Sequence, residues 1–248
     1  MNLILLRHGE SQWNLENRFT GWEDIDLTEK GIEEAAFSGH QINLANIQIS
    51  SIHTSLLERA MKTATIVSDI IDFPKEKIKY EWRLNERHYG SLQGLNKSET
   101  ALKYGEDQVQ VWRRSFDIAP PLLETDDCRH PKFNDKFKNI SEDLPSGESL
   151  KDVISRLKPF LDEYLRDVIT TKNNHLIVAH SNSLRAIVKV LEQLSSEEII
   201  SINIPTGVPL VYTLDKDLKV LDKKYLINKK ELELRQDLIV QQGKIKWN

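Results

Sequence analysis

Asn2-Leu3-Ile4-Leu5-Leu6-Arg7-His8-Gly9-Glu10-Ser11 is the stretch on which the fold turns. Residues 3–6 are apolar without alternation, the pattern of a strand buried on both faces, and Arg7-His8-Gly9 ends it. A second run of this kind, residues 175–179, also stops at a histidine, His180. Further strands are expected at residues 47–53, 78–84, 208–214 and 220–227. Helical spacing falls between them. Thr28 caps a helix to about residue 44, with Ile32, Ala35, Ala36 and Gly39 on one face, and Ser55 caps another through Leu57, Ala60, Ala64 and Val67. Helices are also read at residues 97–104, 107–116, 150–168 (with a kink or break at Pro159), after His180, and at 229–240.

Strands alternating with helices predict an α/β fold, with a largely parallel central sheet flanked by helices on both faces. Functional groups in such sheets gather beyond the carboxyl ends of the strands, where His8 and His180 both fall. The segment of about residues 85–147 offers the sheet no strand and is broken by Pro120, Pro121, Pro131 and Pro145. It reads as a cap inserted over the site. The whole of residues 1–248 then forms one domain with a flexible tail at about 242–248.

Composition narrows the classes of function. The net charge of −4 lacks the basic excess of a nucleic-acid binder, and no stretch is long and apolar enough to cross a bilayer. The apolar start is too short, and lacks the basic flank, for a secretory signal. A single cysteine, Cys128, leaves no intramolecular disulfide and no cysteine-rich zinc site, which fits a reducing, cytoplasmic setting. No Walker-type loop, dinucleotide fingerprint or metal-ligand spacing appears, so neither a nucleotide nor a metal is expected.

The chemistry-bearing residues are scattered but ordered. His8 at a strand end, with Arg7 beside it, is a nucleophile able to capture a phosphoryl group, and Gly9 would let the backbone approach a ligand. Arg59, near a helix start, suits phosphate, and His180 can donate to a phosphoryl oxygen. Glu86, among Arg87, His88 and Tyr89, is a candidate general acid/base. Lys97, Arg113 and Arg114 add cations. Taken singly, each also fits a bland reading: a loop histidine, a solvated helix arginine, a wet charge pair.

Taken together they resemble the histidine phosphatase superfamily. The runs Phe19-Thr20-Gly21-Trp22, Leu84-Asn85-Glu86-Arg87-His88-Tyr89-Gly90, Trp112-Arg113-Arg114-Ser115-Phe116, Ile204-Pro205-Thr206-Gly207 and Gln242-Gly243-Lys244 look like its cofactor-dependent phosphoglycerate mutases, across nearly the whole chain. The resemblance implies glycolytic and gluconeogenic interconversion of 2- and 3-phosphoglycerate through phosphorylated His8, primed by 2,3-bisphosphoglycerate. Glu86 would move the proton, and Arg7, Arg59 and His180 would hold the transferring group. Ser11, Asn14, Thr20, Gly21, Arg87, Tyr89, Lys97, Arg113, Arg114, Ser181 and Asn182 would bind phosphates and carboxylate. A homodimer or homotetramer is the assembly the resemblance suggests. It also suggests a tail that closes as a lid. The family commonly has His-Gly-Asn where this chain has His180-Ser181-Asn182. Bisphosphoglycerate synthase/phosphatase and phosphomonoesterase activity are the alternatives within the superfamily. A scaffold without catalysis is the alternative outside enzymes, disfavoured by intact His8, Glu86, Arg59 and His180.

Overall fold

A computed structural model describes residues 1–241; the tail expected to act as a lid lies outside them. Six strands form one sheet in the order β3-β2-β4-β1-β5-β6. β1 is Asn2–Arg7, β2 Ile49–Thr54, β3 Lys79–Tyr80, β4 Asn174–Ala179, β5 Leu210–Leu214 and β6 Val220–Tyr225. The first four run parallel, and β5 and β6 add an antiparallel edge.

The apolar run of β1 is explained by what covers it. Leu3 and Leu5 pack with the helices α6 (Leu150–Thr171) and α7 (Ser181–Glu192) through Leu157, Leu161, Leu184 and Ile187. Ile4 and Leu6 point the other way, onto Ile42 of α2 (Glu29–Leu44) and Ala64 and Val67 of α3 (Glu58–Ile70). Alternate side chains of a strand face opposite sides, so a central strand covered on both faces is apolar at successive positions.

Several local details differ from the sequence reading, each for a physical reason. Thr28 does cap α2, accepting from the Gly31 N–H, but the buried stripe is Gly31, Glu34, Ala35, Ser38, Gly39 and Ile42, while Ile32 faces outward. Ser55 does not cap α3. That helix starts after Leu57, and the Ser55 hydroxyl meets His180 Nε2 at 2.8 Å instead. The strand expected at 78–84 is only two residues long, because the Glu81 carboxylate accepts from the Arg83 N–H and turns the chain into a 3-10 turn. α6 continues through Pro159, which lies on its exposed face. A helix-interior proline costs about 3 kcal/mol or more, and the seven buried side chains of α6 offset it.

Residues 85–147 contribute no strand to the sheet. They carry α4 (Lys97–Tyr104) and α5 (Glu106–Arg114), followed by 3-10 turns at Pro131–Phe133 and Asp135–Phe137. The other α-helices of the described residues are the short α1 (Gln12–Leu15) and α8 (Glu198–Ser201) and the terminal α9 (Lys229–Gln241).

Candidate active site

Adjacent parallel strands bring the two histidines together. Arg7 pairs with Ala179, the His8 N–H donates to the Ala179 carbonyl at 3.0 Å, and the His8 and His180 rings lie 4.9 Å apart. His8 Nδ1 sits 2.7 Å from the Gly9 carbonyl. A carbonyl oxygen only accepts, so Nδ1 carries the hydrogen and Nε2 keeps its lone pair. Gly9 itself serves packing rather than ligand approach. A Cβ there would fall 2.0 Å from the Gly31 carbonyl oxygen, at the start of α2.

Arginines surround this pair. Arg7 donates to the Ile204 carbonyl at 2.9 Å, and Arg59 donates to the carbonyls of Gly21 and Glu23, both at 2.8 Å. Gly21 holds φ +57°, and a Cβ there would collide with Gln93 Oε1, the acceptor for the Trp22 N–H. Both constraints require glycine at this turn.

The segment after β3 supplies the opposite wall: Glu86, Tyr89, Lys97, Arg113 and Arg114. Glu86 Oε1 accepts from the backbone N–H groups of Arg87 (2.7 Å) and Asn182 (3.1 Å), which joins this wall to the start of α7. Arg156 of α6 fixes the loop from behind. Its side chain donates to the carbonyls of Arg83, Asn85 and Glu86 and pairs with Glu148 at 2.6 Å, and its guanidinium lies against Trp22 and Trp82.

Burial, together with the clustered positive charge, shifts the titration of both histidines, Arg59 and Lys97. Burial, then Arg59 and Arg7, hold His8 well below the usual imidazole range despite the Gly9 bond, and burial, Arg59 and His8 do the same to His180. Burial lowers Arg59 to about 10. Lys97 is pushed well down by burial and by Arg113 and Arg7. Both histidines are therefore neutral at physiological pH. Such a pocket can hold an anion, and the Nε2 lone pair of His8 has the chemistry of a nucleophile.

The chain matches the profile of the histidine phosphatase superfamily (branch 1) over residues 3–127 and 122–224. It belongs to that superfamily. A 2,3-bisphosphoglycerate-dependent phosphoglycerate mutase of Treponema denticola is 50% identical over 247 residues, covering 99% of this chain and 100% of the relative. The protein of the same description from Parabacteroides distasonis is 47% identical over 246 residues, with 99% of both chains covered. Among solved structures, a mycobacterial glucosyl-3-phosphoglycerate phosphatase superposes with a TM-score of 0.65 at 21% identity, covering 90% of this chain and 96% of its own. The alpha-ribazole phosphatase of Shigella flexneri gives 0.63 at 20% identity, with 89% and 93% covered. These two likenesses bear on the fold alone.

Most residues singled out by the superfamily resemblance line one pocket: Arg7, His8, Asn14, Thr20, Gly21, Arg59, Glu86, Tyr89, Lys97, Arg113, Arg114, Ser181 and Asn182. Three stand behind it. Ser11 caps α1, exchanging bonds with Asn14. Arg87 stacks on Tyr89 at 4.5 Å and donates to the Trp112 and Arg113 carbonyls. His180 backs His8. Sequence reasoning missed Arg18, Phe19, Arg185 and Ile239, which also line the pocket. Phe19 stood in a quoted run, and Arg185 lies three residues beyond Asn182, on the same helix face; that spacing was the available signal. Ile239 carries no chemical signature in the sequence.

Proposed function

We propose that the protein is a 2,3-bisphosphoglycerate-dependent phosphoglycerate mutase, interconverting 2- and 3-phosphoglycerate through phosphorylated His8. The observation that carries this reading is the fixed tautomer of His8, whose free Nε2 belongs to a pocket ringed by Arg7, Arg59, Lys97, Arg113 and Arg114. The two near-full-length relatives named as such mutases support the choice of substrate.

In the first half-reaction a hydroxyl oxygen of phosphoglycerate attacks phosphorus. The P–N bond to His8 breaks, a P–O bond forms, and the hydroxyl proton passes to Glu86. The bisphosphorylated intermediate then presents its other phosphoryl group to Nε2. The P–N bond re-forms, the P–O bond breaks, and Glu86 returns the proton to the departing oxygen. Arg7 and Arg59 meet the charge on the transferring group, with His180 behind it. Asn14, Thr20, Gly21, Tyr89, Lys97, Arg113, Arg114, Ser181 and Asn182 hold the remaining phosphate and carboxylate, while Ser11 and Arg87 brace them. A cytoplasmic setting supplies these substrates.

An assay on 3-phosphoglycerate with and without 2,3-bisphosphoglycerate tests the reading. Turnover is expected to need the primer and to survive strong chelators, and the phosphoryl label should reside on His8 in an acid-labile, base-stable form. His8→Ala should lose both label and turnover. Label at another residue, primer-independent turnover, or net release of phosphate without isomerisation would replace this reading with a different activity.

A further inference from the structure

Arg185 is almost wholly buried, lines the pocket, and lies behind residues already given roles. Its guanidinium spans two elements. One Nη donates to Asn182 Oδ1 at 3.0 Å, one helical turn earlier in α7, and the other donates to the Ile199 carbonyl of α8 at 2.7 Å. Its Nε has no hydrogen-bond partner among the described residues.

The consequence falls on Asn182. An arginine donates and never accepts, so the oxygen of the Asn182 amide must be the atom that faces Arg185. The amide nitrogen is thereby turned toward Tyr89, whose hydroxyl lies at 3.3 Å. The flipped amide would set its NH₂ against the Arg185 donors and aim an oxygen into a pocket built for anions. The backbone N–H of the same Asn182 donates to Glu86 Oε1 at 3.1 Å. One side chain thus fixes the polarity of the Asn182 amide, on the residue whose backbone supplies one of the two donors that seat Glu86.

Resting on the mutase reading above, we propose that Arg185 is a positioning residue for proton transfer, acting through Asn182 on Glu86 and Tyr89. Its planar fork suits the task, because it reaches the Asn182 oxygen and a second helix at once, which a lysine cannot do in the same geometry.

The test compares Arg185→Met, Arg185→Lys, Asn182→Ala and the double variant Asn182→Ala/Arg185→Met with wild type. Acid/base catalysis contributes about 10²–10⁴-fold, so loosening one of its supports in Arg185→Met should lower kcat for 3-phosphoglycerate by about tenfold or more, with KM changed less than about threefold. Orthovanadate, which engages the phosphoryl end of the site without proton transfer, should bind the variant within about threefold of wild type. Residues acting as a unit are non-additive, so the double variant should be little worse than Asn182→Ala alone. Arg185→Lys should recover part of kcat.

Parallel loss of kcat and vanadate binding would mean Arg185 merely holds the fold. A rise confined to KM would make it a substrate contact. Full additivity would separate it from Asn182. Each of these overturns the proposal. Should the methionine variant fail to fold, Arg185→Lys decides: reduced kcat with intact vanadate binding supports the role, and wild-type behaviour overturns it. Failure of the mutase reading itself shows up separately, as a wild-type enzyme that does not isomerise phosphoglycerate.

Discussion

At His8 the decisive quantities are a tautomer and a depressed pKa, and both follow from neighbours rather than from the residue itself. The Gly9 carbonyl fixes the proton on Nδ1, while burial with Arg59 and Arg7 disfavours the second proton. Since the folded pKa lies below the ordinary imidazole value, the neutral imidazole persists as pH falls through that value and is lost only at lower pH. Single-turnover phosphorylation of His8 by 2,3-bisphosphoglycerate should therefore hold its rate down through pH 6.5, about where free imidazole half-titrates. An NMR titration placing His8 of the unliganded protein near 6.5 would contradict this. Ser181 poses a different question at the same scale. It is the first residue of α7, half-buried at the pocket wall, where relatives by resemblance carry glycine. On the expectation that its backbone N–H rather than its hydroxyl serves the phosphate, Ser181→Gly should change kcat/KM by less than about tenfold, roughly 1.4 kcal/mol. A larger change in either direction would show that the hydroxyl itself reorganises the pocket.

Elements place these residues, and the loop carrying Glu86 depends most on a partner distant in sequence. Arg156 and Glu148 are nearly solvent-free, and Arg156 gathers three carbonyls of that loop. Removing one member of a buried ion pair strands the other charge, which typically costs about 3–5 kcal/mol. Arg156→Leu should lose stability of that order in denaturant unfolding. Arg156→Leu/Glu148→Leu should regain part of it without regaining turnover, because the Glu86 loop stays unclamped. Recovery of activity in the double variant would count against the clamp. The sequence could announce Glu86 but not Arg156. Buried strands and helices are local patterns, so β1, β4, the Thr28 cap of α2 and the start of α6 were legible from spacing. The Arg156 clamp, the Ser55–His180 contact and the fit of Gly9 against Gly31 join residues far apart in the chain and leave no periodic trace. The pocket residues announced themselves through runs of unusual residues. Arg18 and Arg185 carry no such signal of their own, and only the fold brings them to the pocket.

Across the whole molecule, a net negative chain concentrates positive charge at one end of its sheet. Arg7, Arg59, Lys97, Arg113 and Arg114 are all held below their ordinary pKa values, by burial first and then in most cases by one another, with Glu86 among the few carboxylates opposing them. That arrangement is costly in the unliganded protein, since mutual repulsion and lost hydration both favour unfolding. An anion that fills the pocket removes part of the cost and binds only the folded state. At a ligand concentration about 100-fold above Kd, linkage adds about 2.7 kcal/mol of stability. For a domain of this size each kcal/mol moves Tm by about 2–4 °C, so 2,3-bisphosphoglycerate should raise Tm by roughly 5–10 °C. The increase should shrink with added salt, which screens the attraction and competes for the site. It should also shrink sharply in Arg59→Met, where one of the cations beside His8 is gone. Thermal unfolding of wild type and Arg59→Met, each with and without the ligand, makes the comparison. An equal rise in both proteins would place the bound anion away from His8.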